Sequence, residues 1–173
     1  MNRTQWLREA MLRHESRLLR YVSRLVGNTP VAGEVVQEAF LEMWRAGPQA
    51  LEGRLIPWLF TVCRNRAVDA LRKDSRMLHT DDDAVLERAA FQSAGAPAAR
   101  LDLPTFGGDD ELAGALASLS PRQMELVRLK FQEDLSYREI AEITGLTVNN
   151  VGVQIHAAIK TLRQKLGAKA GAK

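Results

Sequence analysis

The chain has 173 residues, with 24 Lys and Arg, 21 Asp and Glu and a single Cys, for a formal net charge of +3. This length suits one or two domains, and one cysteine excludes an internal disulfide. No apolar run approaches the ~20 residues of a membrane span, and the charged, amphipathic N-terminus is unlike a signal peptide. Helical periodicity recurs along most of the chain, so we expect an all-α protein. Because neither a signal peptide nor a membrane span is predicted, we expect it in the cytoplasm.

The charge is distributed in three blocks. Residues 1–76 carry 13 basic and 8 acidic side chains, residues 77–113 carry 2 and 8, and residues 114–173 carry 9 and 5. The middle block also contains SAGAPAA and LPTFGGDD, a composition typical of a linker, with a short helix predicted at 84–91. Basic blocks suit a polyphosphate partner, although helical surfaces carry charge in any case.

The N-terminal block is predicted to form three or four helices. The first covers about 4–26, the second about 31–45, and the third begins near Pro57 and runs to about 73. A loop or short turn is expected at 49–55. The third helix has an apolar face that includes Cys63, which we therefore interpret as a small core residue rather than a reactive thiol.

The opposite face of the third helix is polar. Asn65, Asp69 and Arg72 lie on it, with Arg64 and Arg66 at its flanks. Such a face suits contact with nucleic acid, but an ordinary solvated helix surface has the same composition. The pattern on this helix does not separate the two interpretations.

A helix–turn–helix is predicted near the C-terminus, from about Ser136 to Leu166. Ser136 and Glu139 form a capping box, Gly145 supplies a turn residue that tolerates positive φ, and Thr147 is an N-cap for the second helix. The apolar positions recur at helical spacing: Ile140, Ala141, Ile143, Val148, Val151, Ile155, Ile159 and Leu162. The second helix could lie in a DNA major groove, while the alternative is a plain αα-hairpin.

Two further elements frame this motif. Ser120 and Gln123 form another capping box, with Pro121 at the first helical position, and open a helix to about Phe131. The C-terminal block is expected to begin at about Glu111, and the tail from Gly167 is expected to fray. Together these predictions give two small helical domains joined by a flexible acidic linker.

Motifs in both blocks resemble the sigma-70 family. The stretch from Glu34 to Phe40 reads EVVQEAF, and it is followed by Trp44-Arg45, Trp58-Leu59-Phe60 and the run RNRAVDALR that starts at Arg64. These are similar to region 2 of the small, two-domain extracytoplasmic-function sigma factors. The stretch from Leu116 to Leu166, which includes LSP and DLSYREIA, is similar to region 4. The resemblance covers roughly three quarters of the chain.

The resemblance implies a domain organisation and a function. Residues 1–76 would form region 2, 77–110 an acidic linker, 111–167 the region 4 helix–turn–helix and 168–173 a tail. The protein would be a non-enzymatic alternative sigma factor that needs no metal or cofactor. It would direct promoter-specific initiation by core RNA polymerase, docking on the β′ clamp helices and the β flap. The resemblance also suggests an anti-sigma factor as a partner.

Region 2 of the family docks on polymerase and opens the −10 element. The resemblance gives the docking role to residues of the second helix: Glu34, Gln37, Glu38 and Glu42. It gives −10 recognition to residues of the third: Arg64, Asn65, Arg66, Asp69, Arg72 and Lys73. Asn65 would lie beside the pocket for a flipped base, the loop at 47–55 would form its wall, and the arginines and Lys73 would neutralise phosphates. Trp58 is either a stacking platform or, as we favour, a core residue.

Region 4 of the family reads the −35 element. The resemblance gives this role to residues of the helix–turn–helix: Ser136, Arg138, Thr147, Asn149, Asn150, Gly152, Val153, Gln154, His156 and Lys160. Here the sequence departs from its relatives, because Gly152, Val153, Gln154, Ala157 and Ile159 stand where basic or Ser residues are usual. Arginine reads guanine, whereas Asn and Gln suit adenine and Val can touch a thymine methyl. We therefore expect a weakly specific or A/T-leaning −35 contact.

Two other function classes compete with this interpretation. A two-domain helix–turn–helix regulator that does not engage polymerase would need no docking or melting motifs. A helical enzyme has little support, because His14, His79 and His156 are far apart and no nucleophile motif, metal-ligand spacing or phosphate loop is present.

The acidic linker could occupy a basic channel of polymerase or serve as a plain soluble tether. His79 beside Asp81–Asp83 could at most hold a cation weakly.

Overall fold

A computed structural model describes residues 2–75 and 109–170 of the chain. The chain divides into two compact units, Met1–Pro97 and Ala98–Lys173. The division falls within the segment predicted to be a linker. The short helix predicted at 84–91 and the acidic cluster at 81–83 lie outside the described residues, as does His79.

The first unit contains three long α-helices in its described part. They are α1 (Arg3–Val26), α2 (Thr29–Ala46) and α3 (Leu55–Ser75), with one 3-10 turn at Gln49–Leu51 between α2 and α3. Each long helix packs against the other two. Helices α2 and α3 each begin about two residues earlier than the sequence predicts.

Local chemistry explains where these helices begin and end. Gly27 ends α1 in the left-handed region at φ 66°, a conformation that costs glycine little. The side chain of Asn28 accepts a hydrogen bond from the Val31 N–H, and Pro30 lies in the first turn of α2. Because Asn28 caps the helix, α2 starts at Thr29 instead of 31.

The core of the first unit is built from the apolar faces of all three helices. Leu18, Met43 and Phe60 are among the largest side chains that are fully buried, and Tyr21 packs edge-to-face on Phe60 with ring centroids 5.1 Å apart. Val35, Val36 and Phe40 of α2 are also buried. The apolar side of α2 therefore faces the core, and its polar side remains at the surface.

The second unit contains four α-helices in its described part. They are α4 (Asp109–Leu116), α5 (Pro121–Phe131), α6 (Tyr137–Thr144) and α7 (Val148–Ala170). Helices α4, α5 and α6 all pack on α7. The apolar face of α7 is therefore covered by three different helices.

Both predicted capping boxes of this unit are present. The Ser120 hydroxyl accepts from the Gln123 N–H at the start of α5, and the Ser136 hydroxyl accepts from the Glu139 N–H at the start of α6. Gly145 ends α6 at φ 74°, as the turn requires. These devices fix the boundaries of the helix–turn–helix.

Two details of the second unit differ from the sequence-based expectation. Val148 was expected on the buried face of α7 but is 49% exposed, and it is the first residue of that helix. The tail was expected to fray from Gly167, whereas α7 continues to Ala170. Ile140, Ile143, Val151 and Ile155 are buried as expected.

Candidate nucleic-acid interface

The outward side of α3 carries the residues predicted to recognise the −10 element. Asn65, Arg72 and Lys73 are exposed, whereas Arg64 is half-buried. Arg72 lies 3.7 Å from the Asp69 carboxylate, a separation at which an exposed pair contributes little to stability. The surface therefore offers one amide and two exposed cations to a ligand.

Arg66 is placed differently from the other predicted phosphate ligands. Its guanidinium faces α2, where Nε donates to Glu42 Oε1 at 2.9 Å and the two terminal nitrogens pair with Glu38 and Glu42. The hydrogen bond to Glu42 raises the pKa of Arg66, partly opposed by burial. Within the first unit this arginine is a bridge between two helices.

The bridge joins residues to which the family resemblance gives different roles. Glu38 and Glu42 belong to the predicted polymerase-docking set, and Arg66 to the −10 set. The structure brings them together, since Glu38 and Glu42 are one helical turn apart on α2 and both face α3. The predicted docking and melting residues therefore meet along one helix–helix seam.

The free side of α2, which faces away from the core, is polar except for one apolar side chain, Leu41. Glu34, Gln37 and Glu38 are exposed, and Leu41 is 51% exposed one turn further along. The docking residues predicted from the sequence do not include Leu41. The signal available in the sequence was a leucine among Glu and Gln at three- and four-residue spacing.

The loop between α2 and α3 is held by the start of the chain. The Arg3 guanidinium donates to the Trp44 carbonyl and, at 3.0 Å, to the Arg45 carbonyl, so it satisfies the C-terminus of α2. It also lies 5.1 Å from the Trp44 ring centroid. Gly47 follows at φ 83° against the same guanidinium. Trp58, on α3, is half-buried.

The recognition helix α7 presents few charges. The exposed members of its predicted −35 set are Thr147, Asn149, Asn150, Val153, His156 and Lys160, and Gln154 is half-buried. Val153 is 59% exposed. Thr147 acts as the predicted N-cap, because its hydroxyl accepts from the Asn150 N–H at 3.1 Å. Lys160 is the one lysine in this set, so the face is mainly amide and apolar.

The start of α6 packs closely on α7 at Gly152. A β-carbon built on Gly152 would lie 3.5 Å from the Tyr137 ring, and Lys130 Nζ lies 5.6 Å from the centroid of that ring. The Ser136 hydroxyl is used in its capping box, whereas Arg138 is exposed. Position 152 therefore faces a protein neighbour, and Arg138 remains available to a ligand.

Besides Arg66, two titratable groups among the described residues of the first unit have shifted pKa values. Burial raises the pKa of the Cys63 thiol to about 12, with Glu42 acting in the same direction and Arg66 against it. Burial lowers the pKa of His14, and the charges of Arg17 and Arg13 lower it further. Cys63 therefore stays protonated at neutral pH, in keeping with a core role.

Within residues 2–75 and 109–170, no group of three or more His, Cys, Asp or Glu residues could hold a metal ion. In the same two segments, no helix is long and apolar enough to cross a membrane.

Comparisons with known proteins agree with this geometry. The family description "Sigma-70 region 2" matches residues 10–77, and "Sigma-70, region 4" matches residues 109–162. The chain is 32% identical over 156 residues to RNA polymerase sigma factor CarQ of Myxococcus xanthus, covering 90% of this chain and 86% of that protein. The chain belongs to the sigma-70 family.

Further relatives place it in the extracytoplasmic-function group of that family. It is 30% identical over 164 residues to the ECF RNA polymerase sigma factor SigL of Mycobacterium tuberculosis, covering 89% of this chain and 86% of the relative. It is 28% identical over 158 residues to RNA polymerase sigma factor SigV of Bacillus subtilis. As a sigma factor it is a non-enzymatic, DNA-binding subunit that directs promoter-specific transcription with core RNA polymerase.

A solved structure supports the fold of this sigma factor. The chain of RpoE from Bartonella quintana, crystallised in complex with the anti-sigma factor NepR, matches with a TM-score of 0.61. The match covers 92% of this chain and 96% of that chain, at 19% sequence identity. At this identity the likeness concerns the fold alone.

Proposed function

We propose that this sigma factor divides its task between its two units in the cytoplasm, where polymerase operates. Residues 1–76 dock on core polymerase and open the −10 element, residues 77–110 act as a connector, and residues 111–167 bind the −35 element, leaving 168–173 as a tail. The observation that carries the proposal is the seam between α2 and α3. Gln37 and Leu41 are exposed on α2, which supplies Glu38 and Glu42 to the bridge, and Asn65 is exposed on α3 next to Arg66.

Docking uses the free side of α2. Glu34 and Gln37 offer a carboxylate and an amide to basic residues of the β′ clamp helices, and charged hydrogen bonds of this kind are stronger than neutral ones. Glu38, whose side chain is 55% exposed while it pairs with Arg66, can add a second carboxylate contact. Leu41 lies among them and supplies the apolar centre that protein interfaces usually contain. Glu42 acts indirectly, because its carboxylate is held by Arg66.

Promoter opening uses the outward side of α3. Asn65 reads the edge of a flipped base, since its amide can both donate and accept. Arg64, Arg72 and Lys73 neutralise phosphates near it, and Asp69 orients Arg72. Arg66 belongs to this group as a positioning residue, because its guanidinium is engaged with Glu38 and Glu42.

Binding of the −35 element uses the start of α7 and the start of α6. Asn149, Asn150 and Gln154 suit adenine edges, and Val153 suits a thymine methyl. The remaining contacts go to phosphates from Arg138, Thr147, His156 and Lys160. Ser136 acts indirectly by capping α6, and Gly152 allows close packing on Tyr137. This unit also meets the β flap, as the family relationship implies.

An anti-sigma factor is the proposed regulator. A related fold occurs in a complex with such a protein, the RpoE–NepR pair. A partner that covers Gln37 and Leu41 on α2 would block the surface proposed for polymerase. Co-purification from the native host would identify it.

Run-off transcription tests the function. The purified chain is mixed with core polymerase and a pool of genomic promoter fragments, and start sites are mapped. We expect stable holoenzyme and discrete new start sites that core polymerase alone does not produce. If the chain neither binds core nor starts transcripts at any promoter, the proposal is wrong. The competing interpretation, a regulator that acts independently of polymerase, would then be favoured.

A further inference from the structure

The C-terminus of α2 is capped by a side chain that belongs to α1. The last carbonyls of a helix have no partner within it, and they lie at the negative end of the helix dipole. Two carbonyls in the last turn of α2, those of Trp44 and Arg45, accept from the Arg3 guanidinium, 41 and 42 residues earlier in the chain. The guanidinium is also 5.1 Å from the centroid of the Trp44 ring. One side chain of α1 therefore supplies donors and positive charge where α2 ends.

The position of Arg3 is fixed by the N-cap of its own helix. Arg3 is the first residue of α1, and the Asn2 side chain before it accepts from the Thr4 N–H at 3.2 Å. The Asn2 carbonyl accepts from the Trp6 N–H at 3.0 Å. These bonds hold the first turn of α1, and α1 packs against α2. The Arg3 side chain is thereby directed to the end of α2.

The loop that follows α2 begins against the same guanidinium. Gly47 is buried at φ 83°, and a β-carbon built on it would lie 3.3 Å from Arg3 Nη2. Glycine suits this position because residues with a β-carbon rarely adopt such a φ. The Gly47 N–H donates to the Met43 carbonyl at 3.0 Å. The first residue of the loop is therefore held by α2 on one side and meets Arg3 on the other.

The rest of the loop is ordered by short-range contacts. Leu51 is buried, and its N–H donates to the Pro48 carbonyl at 3.3 Å. The Arg54 N–H donates to the Leu51 carbonyl at 3.2 Å, and the Trp58 N–H donates to the Arg54 carbonyl at 3.0 Å as α3 begins. These bonds span three or four residues, whereas the contact with Arg3 ties the start of the loop to α1.

We propose that Arg3 is a positioning residue for promoter opening, which acts without contacting DNA. By capping α2 from α1, it holds residues 47–54 in one conformation at the junction between the docking helix α2 and the melting helix α3. A loop that is already ordered can receive a flipped base at a smaller cost in conformational entropy. The inference rests on the proposed −10 role of the first unit and adds a residue that none of the assigned sites includes.

Promoter opening by holoenzyme tests the proposal with the full chain. Arg3→Ala removes the donors, and we expect about tenfold less permanganate reactivity of unpaired thymines on a duplex promoter, since misplaced binding groups lower rates by such factors. Core binding, measured by pull-down, should not change. On a promoter whose −10 region is already unpaired by mismatches, Arg3→Ala should transcribe as well as wild type, because no duplex has to be opened. A folding defect would instead lower transcription from both templates.

Two further variants show whether the cap itself is responsible. Arg3→Lys keeps a donor and the charge, so it should open the duplex promoter better than Arg3→Ala does. Arg8→Ala is the matched control, because it removes an exposed arginine of the same helix that is not part of the cap. It should behave as wild type on both templates. Circular dichroism verifies that each variant is folded.

Hydrogen exchange of the free protein tests the structural part separately. Arg3→Ala should speed the exchange of amides in residues 47–54, including Leu51 and Arg54, by about tenfold, because local opening becomes easier there. Amides in the middle of α1 and α3 should exchange as in wild type. Arg8→Ala should leave the loop amides unchanged.

Wild-type opening by the folded Arg3→Ala variant, or an equal loss on the duplex and the mismatched promoter, would overturn the proposal. Loop amides that exchange at the wild-type rate, or an Arg3→Lys variant as defective as Arg3→Ala, would overturn it as well. If the unaltered chain itself opens no promoter, the proposed function is wrong, whereas hydrogen exchange still shows whether Arg3 holds the loop. The two proposals can therefore fail separately.

Discussion

The Arg66 guanidinium on α3 is held by the Glu42 carboxylate on α2, with Nε 2.9 Å from Oε1. Glu38 pairs with the same guanidinium from one turn away. The three side chains are about one-third to one-half exposed, so solvent screens the bridge in part. Its main effect is to fix how α3 is oriented on α2.

The first prediction concerns this bridge. Arg66→Ala should lower the free energy of unfolding of the first unit by about 1 kcal/mol, since it removes a charged hydrogen bond at a half-exposed site. A double-mutant cycle with Glu42→Gln, measured by urea unfolding, should give a coupling energy of similar size. Arg8→Ala serves as the control. Additive effects of the two substitutions would mean that the bridge is not formed in solution.

The second prediction concerns Asn65. Asn65→Ala should reduce promoter opening, measured by permanganate reactivity of unpaired thymines, by at least about tenfold, because a flipped base loses its edge hydrogen bonds. Core binding should stay within about twofold of wild type. Equal loss of both activities would indicate a folding defect instead of a lost base contact.

The third prediction concerns the free side of α2. Replacing Gln37 and Glu38 with Ala should weaken core association by about tenfold, and Leu41→Ala should weaken it by a similar factor, since Leu41 would bury its apolar side chain in the core of the interface. All three positions are exposed, so helicity by circular dichroism should not change. Leu12→Ala is a matched control, because Leu12 on α1 is 77% exposed. Core affinity unaffected by Leu41→Ala would remove that residue from the docking surface.

The fourth prediction concerns base selection by α7. Holoenzyme should select A and T, or select weakly, from a library randomised at the −35 element, because this face carries amides and Val153 in place of arginines. Val153→Arg should introduce a preference for guanine at one position. Strong selection for G at two or more positions by the unaltered chain would contradict the prediction.

The fifth prediction concerns Cys63. With a pKa raised to about 12, roughly one thiol in 10⁴ is ionised at pH 8, and the side chain is also fully buried. A thiol reagent such as Ellman's should therefore label the native chain very slowly at pH 8. Labelling should become rapid across the urea unfolding transition. Prompt labelling without urea would show that the core opens locally around α3.

The sequence predicts local features of this protein well, because their causes are local. Both capping boxes, Gly27 and Gly145 act within a few residues of themselves, and their patterns are visible in the printed sequence. The family resemblance, which the comparisons confirm, also predicts that the helices form two separate units. Helix periodicity likewise places Cys63 on the buried face of α3, and it is fully buried.

Contacts between distant parts of the chain were not predictable in the same way. Arg66 is 24 residues from Glu42 and 28 from Glu38, so its bridge depends on how α3 packs against α2. Val148 is exposed although its spacing matches that of the buried positions of α7. The base contacts of Asn65 and Asn149 remain predictions, because such contacts form only when DNA is bound.

The contact made by Arg3 has a practical consequence for handling this protein. Its guanidinium reaches carbonyls at the end of α2 across 41 residues of sequence, beside the loop proposed to line the base pocket. Shortening the chain past Arg3 would expose those carbonyls and release Gly47 from its neighbour. An expression variant that trims this end should therefore loosen the end of α2, although it removes none of the residues assigned to DNA binding.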